Sequence, residues 1–415
     1  MTVKRTSATA NRTDVLIAGG GMVGLTAALA LAQGGIKVAV VDPLPQAHVL
    51  DEAFDGRVSA LSYSVVRMFR ALGVWKHLEA HAQPILDILV TDAALDRSPG
   101  PFSLHFDHRE IGEPMGVIAE NRHIRHALFL AIDNASGIRL TDPASVISAT
   151  RHASHVEAEL SNGARIHADL VVAADGRDSP LREQTGIRTI AWSYPQTGIV
   201  ATVEHERPHN GVAYEHFLPS GPFAILPMTG NRSSLVWTER ENLAPELLAL
   251  PVEEFKSEVA RRFGNHFGKI EIAGDRWSYP LRFHLARNYV APRLALVGDA
   301  AHGIHPIAGQ GLNLGLKDAA ALAECVLESV RLGLTASDVN ALARYERWRR
   351  FDSFALAAAT DGLNRLFSND IVPLRAIRDL GLGIVDGIGP LRRLFMRHAG
   401  GDLGKLPKLL KGEAA

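Results

Sequence analysis

The residues of this chain best suited to chemistry lie close together: Asp299, His302, His305 and Pro306, followed by Gly309-Gln310-Gly311-Leu312-Asn313. A carboxylate accepts hydrogen bonds from polyol hydroxyls, and an imidazole holds or moves a proton near neutral pH. A glycine-rich turn running into a helix aims backbone N–H groups at an anionic or electron-rich ligand. The two histidines have no metal-ligand spacing, and no carboxylate–histidine–serine arrangement is visible nearby. His302 and His305 therefore read as positioning residues rather than as a general base. Leu294 to Val297 before them is an apolar strand, and a helix runs from the second turn to about Val330. The positive end of that helix would stabilise negative charge on a ligand.

Two further turns have the same strand-then-loop form. Val15-Leu16-Ile17-Ala18 is a short apolar run suited to a strand buried on both faces, and Gly19-Gly20-Gly21-Met22-Val23-Gly24 follows it. Gly19, Gly21 and Gly24 match G-x-G-x-x-G, which permits a tight turn, approach of backbone to a pyrophosphate and close helix packing. A helix over Leu25 to Ala32 ends at Gly34-Gly35. A second strand, Ile36 to Val41, ends at Asp42, where a carboxylate meets ribose hydroxyls. Leu170 to Ala174 is another buried strand and ends in Asp175-Gly176. Together these turns predict a dinucleotide site, without separating NAD from FAD, and the Asp299–Asn313 turn is the place for a flavin ring. Arg57, in the loop before a helix with Val65, Met68, Phe69 and Leu72, can pair with a pyrophosphate. Arg122 and Arg125 open a helix over Glu120 to Ala131; ligand and solvent are both open to Arg122, and solvent is the default for Arg125.

Between these pieces the pattern changes. Ile199–Val203, Val212–Leu218, Phe223–Met228 and Ser234–Thr238 read as strands of a mostly antiparallel sheet, and a helix follows from about Val252 to Phe263. Ser98-Pro99-Gly100-Pro101 signals a turn. In the tail, Tyr345, Trp348, Phe351 and Phe354 mark an amphipathic helix. Later, Arg392, Arg393, Arg397, Lys405, Lys408 and Lys411 alternate with bulky apolar residues. Such a tail suits either an anionic membrane surface or a packed helix with a solvated basic face.

Composition limits the classes. A net charge of -1 gives no general electrostatic case for nucleic acid. Cys325 is the single cysteine, which excludes an intramolecular disulfide, a redox dithiol and a cysteine-built metal site, and no metal is expected. A reducing cytoplasmic setting fits. The N-terminal residues are basic and polar without an apolar signal core, and no apolar run is long enough to span a membrane.

Four pieces occur in order: GGGMVG with Asp42, GRVSALSYS at Arg57, VVAADGRDSP, and GDAAHGIHPIAGQGLNLGLKD. With these the chain resembles the class A flavin monooxygenases and, more narrowly, the ubiquinone-biosynthesis hydroxylases (the UbiH/UbiF/VisC group). Ser278–Leu281 and Asp361–Asp370 also resemble that group, whereas Asp107-His108-Arg109-Glu110 is more charged than its pattern. The resemblance implies an α/β fold: a Rossmann-like FAD-binding domain of the glutathione-reductase and p-hydroxybenzoate-hydroxylase type, with an inserted mostly antiparallel substrate sheet and a helical C-terminal tail. Residues 12–84, 116–185 and 280–336 would form the FAD domain, 85–115 and 186–279 the substrate domain, and 337–415 the helical region.

The resemblance also implies roles. Gly19, Gly21 and Gly24 would cradle the FAD pyrophosphate and Asp42 the adenosine ribose. Arg57 and Arg122 would contact FAD, and Asp175-Gly176 would be the shared FAD/NAD(P)H motif. Asp299 would take the ribityl chain. Gly309, Gly311, Leu312 and Asn313 would back the isoalloxazine, with Pro306 leaving room at its face. The implied reaction is hydroxylation of a polyprenylated phenol in ubiquinone biosynthesis through a C4a-hydroperoxyflavin, with NAD(P)H as electron donor and O2 as co-substrate. Contact with the inner face of the cytoplasmic membrane through the tail, and with quinone-biosynthesis complex subunits, would follow from such a lipid. Three alternatives stay open: a class A hydroxylase of a soluble aromatic substrate, a flavin reductase of prenyl lipids, and a non-catalytic scaffold subunit.

Overall fold

In the computed structural model, residues 11–50, 54–92, 103–264, 267–305, 309–367, 385–402 and 404–415 are described. The turn at Ser98-Pro99-Gly100-Pro101, Pro306, and the end of the Asp361–Asp370 segment lie outside them.

The nucleotide-type sheet is built around Asn11–Ala18. Val38–Val41 and Arg165–Ala173 flank it in parallel, Leu294–Leu296 lies beyond Arg165–Ala173, and Ile138–Thr141 lies beyond Val38–Val41. The apolar runs behave as strands covered on both faces: Val15–Ile17, Val38–Val41, Leu170–Ala173 and Leu294–Val297 are buried. Register decides where the functional loops emerge. Ala18 pairs with both Val41 and Ala173, and Ala173 pairs with Leu296. Gly19, Asp42, the Ala174–Gly176 turn and the Gly298–Ala300 turn therefore leave the sheet along one carboxyl edge, the binding edge of an open parallel sheet. The helix Met22–Gln33 carries buried residues all round because it is covered on every side. It packs against the long helix Gln310–Arg331.

A second sheet of eight strands runs in the order His302–Gly303, Ile270–Ala286, Thr189–His205, Arg232–Arg240, Gly221–Met228, Val212–Leu218, Asp87–Asp92, Ser103–Asp107. It is antiparallel apart from the Val212–Leu218/Asp87–Asp92 pair. Strand alternation gives it two distinct faces. On one, Ile199, Ala201, Phe223, Ile225 and Trp237 meet Phe255, Val259 and Phe263 of the helix Val252–Phe263. On the other, Ile88, Val90, Ala213, Phe217, Leu226 and Met228 meet Val58, Ala60 and Ile118. The latter residues belong to a three-stranded sheet of Val58–Ser62, Gly116–Glu120 and Ala82–Ile85. That small sheet stands between the substrate-type sheet and the nucleotide edge.

The C-terminal helices differ from the sequence expectation. In Val339–Phe367, Tyr345 is buried, but Phe351 and Phe354 are 73% and 58% exposed. The face turned to the protein runs instead through Tyr345, Arg349, Ser353, Ala357, Thr360 and Asn364. The terminal basic segment is docked on the body: Leu409 and Leu410 are buried, and the Lys408 backbone N–H donates to Glu324. The charged Asp107–Glu110 stretch also has a structural task. Glu110 pairs with Arg392 at 2.8 Å, tying the helix Gly389–Ala399 to the body, while Met396 enters the apolar cluster beneath.

Candidate active site

The first turn is closed by backbone and open on one side. Gly19 has φ +108°, and a Cβ there would lie 2.2 Å from the Ala174 carbonyl oxygen. A Cβ on Gly24 would lie 2.0 Å from the Gly19 oxygen, whereas one on Gly21 would meet nothing within 4 Å. Gly21 caps the helix Met22–Gln33 with no side-chain hydrogen bond, so the first helical amides face that open side. Asp42 sits across the turn. Its two oxygens accept the Gly20 and Leu44 N–H groups at 2.6 and 2.8 Å, which orients the carboxylate and leaves further lone pairs for hydroxyl donors.

Arginines surround the loop before the helix Tyr63–Ala71. Arg57 is exposed and pairs with Asp55 at 3.1 Å. Arg125, expected in solvent, is half-buried and bonds the same carboxylate at 3.3 Å. Arg122 and Arg232 both pair with the buried Glu120, at 2.7 and 2.9 Å, and both lie over the Phe54 ring. Arg232 comes from the substrate-type sheet, so Glu120 joins the two bodies by a bond whose far partner the sequence does not indicate.

The Asp175 and Asp299 turns are tied together by the buried Arg182, which donates to the Arg177 and Ala300 carbonyl oxygens at 2.7 and 3.0 Å. Asp175 accepts the Leu181 N–H on one oxygen, while its other oxygen is buried without a partner among the described residues. Burial pushes its carboxyl up. Gly176 has a left-handed φ of +88°. Asp299 is exposed on the binding edge, and its carbonyl oxygen accepts a hydrogen bond from His284 at 2.8 Å.

Gly309, at φ +60°, opens the helix Gln310–Arg331. The Asn313 side chain is committed to the protein: it accepts the Ser62 N–H at 2.9 Å and donates to the Ala60 oxygen at 2.8 Å. Leu312 packs at the rim of the main core. A Cβ on Gly311 would meet nothing within 4 Å among the described residues, which leaves this turn too with an open side.

The histidines part company. His302 is buried and bonds Asp318 at 2.6 Å. Asp318 also accepts the Gly298 N–H at 3.0 Å and the buried Arg349 at 2.8 Å. His302 is thus built into a network that holds the Gly298–Ala300 turn, the arrangement of a positioning residue. The carboxylate absent from its sequence neighbourhood comes from the helix Gln310–Arg331. His305 is buried edge-on to Tyr194, and among the described residues neither of its ring nitrogens has a hydrogen-bond partner. Burial pushes its imidazole down to about 4. A depressed histidine stabilises the fold fully above its free value of 6.5 and loses that contribution as pH falls toward 4. We expect this to cost about 3 kcal/mol, and a His305→Phe variant to show a flatter melting profile over that window. An equal slope in both proteins would exclude His305 as the source.

These features fit FAD: a turn open at Gly21, the Asp42 carboxylate at the end of the second strand, an exposed Asp299 on the same edge, and a second open turn at Gly311. Comparison with known proteins agrees. The model of the FAD binding domain family matches residues 12–351. Ubiquinone hydroxylase UbiL of Rhodospirillum rubrum is 50% identical over 403 residues, covering 96% of this chain and 92% of that protein. The 3-demethoxyubiquinol 3-hydroxylase of Escherichia coli is 35% identical over 394 residues, covering 93% and 98%. Among solved structures, p-nitrophenol 4-monooxygenase PnpA of Pseudomonas putida superposes with a TM-score of 0.78 at 17% identity, covering 95% of this chain and 100% of that one. PqsL of Pseudomonas aeruginosa gives 0.74 at 22%, covering 90% and 99%; at such identities these two speak for the fold. Fold and site together define an FAD-dependent monooxygenase. Within that class, the chain belongs to the ubiquinone-biosynthesis hydroxylases.

Proposed function

We propose that this protein hydroxylates the aromatic ring of a polyprenylated phenol on the route to ubiquinone, with electrons from NAD(P)H. The observation that carries this reading is the 50% identity to a ubiquinone hydroxylase across 96% of the chain. FAD, when bound, would pass two electrons from NAD(P)H to O2, one atom of which enters the ring while the other leaves as water. The protein's share is binding, orientation and exclusion of water. The Gly19–Gly24 turn and its helix end would hold the pyrophosphate, Asp42 the ribose and Asp299 the ribityl hydroxyls. The turn at Gly309–Gly311 would lie under the ring, with Arg57 and Arg122 at the phosphates and Asp175-Gly176 beside them. Deleting the gene in its host and identifying the accumulated quinone precursor tests the function. A precursor lacking one ring hydroxyl is expected, and unchanged ubiquinone with no precursor would overturn the reading.

The Asp299 role has its own test. Asp299→Ala removes a charge-assisted acceptor for hydroxyl donors, so FAD affinity should fall by about tenfold or more. Flavin content after dialysis measures this, and full retention would remove Asp299 from the site.

A membrane-bound substrate calls for contact with the bilayer surface, and the exposed side of Val339–Phe367 suits it. Phe351, Phe354, Leu363 and Leu366 are exposed there, with Arg347 and Arg350 also on the surface. No helix among the described residues is long and apolar enough to cross a membrane. Replacing Phe351 and Phe354 together with serine should lower co-sedimentation with anionic vesicles at least about tenfold, from the apolar burial lost. Equal binding would place the contact elsewhere.

A further inference from the structure

Glu215 lies in the strand Val212–Leu218, and its neighbours determine which way it points. Tyr214 and Leu218 face the cluster around Phe255 and Phe263, whereas Ala213 and Phe217 face the opposite cluster. Alternation puts Glu215 with Ala213 and Phe217. Across the ladder it pairs with Val90 on one side and Ala224 on the other. The same apolar cluster includes Leu226, Met228, Val58 and Ala60. Ala60 in turn bonds Asn313 and lies beside Gly309. Glu215 thus stands on the apolar sheet face that looks toward the small sheet backing the flavin turn.

Three other acidic residues of this sheet have partners: Asp87 with His105, Glu239 with Arg262, Glu271 with Lys256. Among the described residues, nothing bonds or pairs with the Glu215 carboxyl, and burial is the one influence on its titration, pushing it up to about 7. It is nonetheless partly accessible, as are Val90, Leu226 and Val236 around it. A side chain that keeps accessible surface in the middle of a sheet, beside neighbours that do the same, faces open space over that sheet. A carboxyl kept there without a partner is costly to the fold, and a cleft of apolar walls with one polar group is the usual form of a site for a mostly apolar ligand.

We propose that Glu215 is a substrate-binding residue whose carboxylate accepts a hydrogen bond from the phenolic hydroxyl of the aromatic ring, fixing which ring carbon faces the flavin turn. The assignment rests on the phenol reading above. A carboxylate accepting from a neutral hydroxyl makes a strong, short bond in a dry cleft. It also draws electron density into the ring, which favours attack by that ring on an electrophilic oxygen. The surrounding valine, leucine and methionine side chains accommodate the ring faces and the start of the prenyl chain.

The test compares two probes on the FAD-loaded full chain: a detergent-solubilised geranyl phenol and its O-methyl ether, which lacks the donor. Wild type should bind the phenol about tenfold or more tighter than the ether. Glu215→Leu should bring that ratio close to one with flavin content retained, and should raise the melting temperature of the apoprotein. Glu215→Gln, which keeps the shape of the side chain, should lower the ratio at least about threefold, because a neutral acceptor makes a weaker bond. An unchanged ratio in either variant overturns the assignment. Binding of neither probe by wild type overturns the phenol reading itself, and the role of Glu215 with it.

Discussion

Replacing Gly311 with leucine should give a folded, colourless protein. Gly311 is the second residue of the helix Gln310–Arg331, its φ is not left-handed, and a Cβ would meet nothing within 4 Å among the described residues. The apoprotein therefore accepts the side chain without strain, and leaving glycine in a helix should raise stability by roughly 0.5–1 kcal/mol. The same open space is where the proposed reading puts the isoalloxazine, so a leucine there would exclude the ring. Absorbance near the flavin maxima and the melting temperature check the two halves together. Gly24→Val is the contrasting case. Its Cβ would sit 2.0 Å from a backbone oxygen, so loss of flavin there should come with loss of fold. A Gly311→Leu protein that keeps its flavin and turns over normally would mean that the ring lies elsewhere.

The second large effect is expected from Arg349→Met. Arg349 and Asp318 are both buried, and the Asp318 carboxylate is held below its ordinary range by His302 and Arg349. Removing the guanidinium leaves a buried carboxylate short of its main cationic partner, for which a loss of about 3–5 kcal/mol is typical. Urea denaturation of the apoprotein measures it. Because the folded Asp318 titrates below its free value of 3.8, its stabilising contribution is present above that pH and disappears as pH falls further. The variant should therefore lose part of the wild-type acid sensitivity below pH 4. A change under about 1 kcal/mol would show that the network contributes little to stability. Since Asp318 also holds the Gly298 amide, weaker flavin retention should accompany the stability loss.

How much of this was legible depended on whether one stretch of chain carried the whole signal. The edge turns were, because each is an apolar run followed at once by glycine or aspartate, and parallel pairing brings such strand ends to one level. The helix Val252–Phe263 and the strand Val212–Leu218 were legible for the same reason. Long-range pairings were not. Asn313 reaches Ser62, and Arg232 reaches Glu120, through contacts that no local spacing encodes. Arg349 reads in sequence as one more surface cation in an arginine-rich helix; only the packed helix pair shows it buried against Asp318. Phe351 and Phe354 misled in the opposite direction. Aromatic residues at helical spacing suggested the buried side, yet they lie outside while arginine and serine face in. Glu215 left no mark either, since a lone acid in an alternating strand ordinarily faces water.

The order of strands in the nucleotide sheet bears on how the chain is made. Arg165–Ala173 receives its parallel neighbour, Leu294–Leu296, only after residues 174–293, which carry five strands of the other sheet, have been synthesised. During translation the Leu170–Ala173 stretch therefore waits as an unpaired, wholly apolar edge, the kind that recruits foreign strands. Leu409 and Leu410, which close over the helices Tyr63–Ala71 and Gln310–Arg331, arrive later still. Such high contact order makes folding slow. Yield in a heterologous host should thus respond more to slower synthesis and chaperone supply than to any change at the protein's surface.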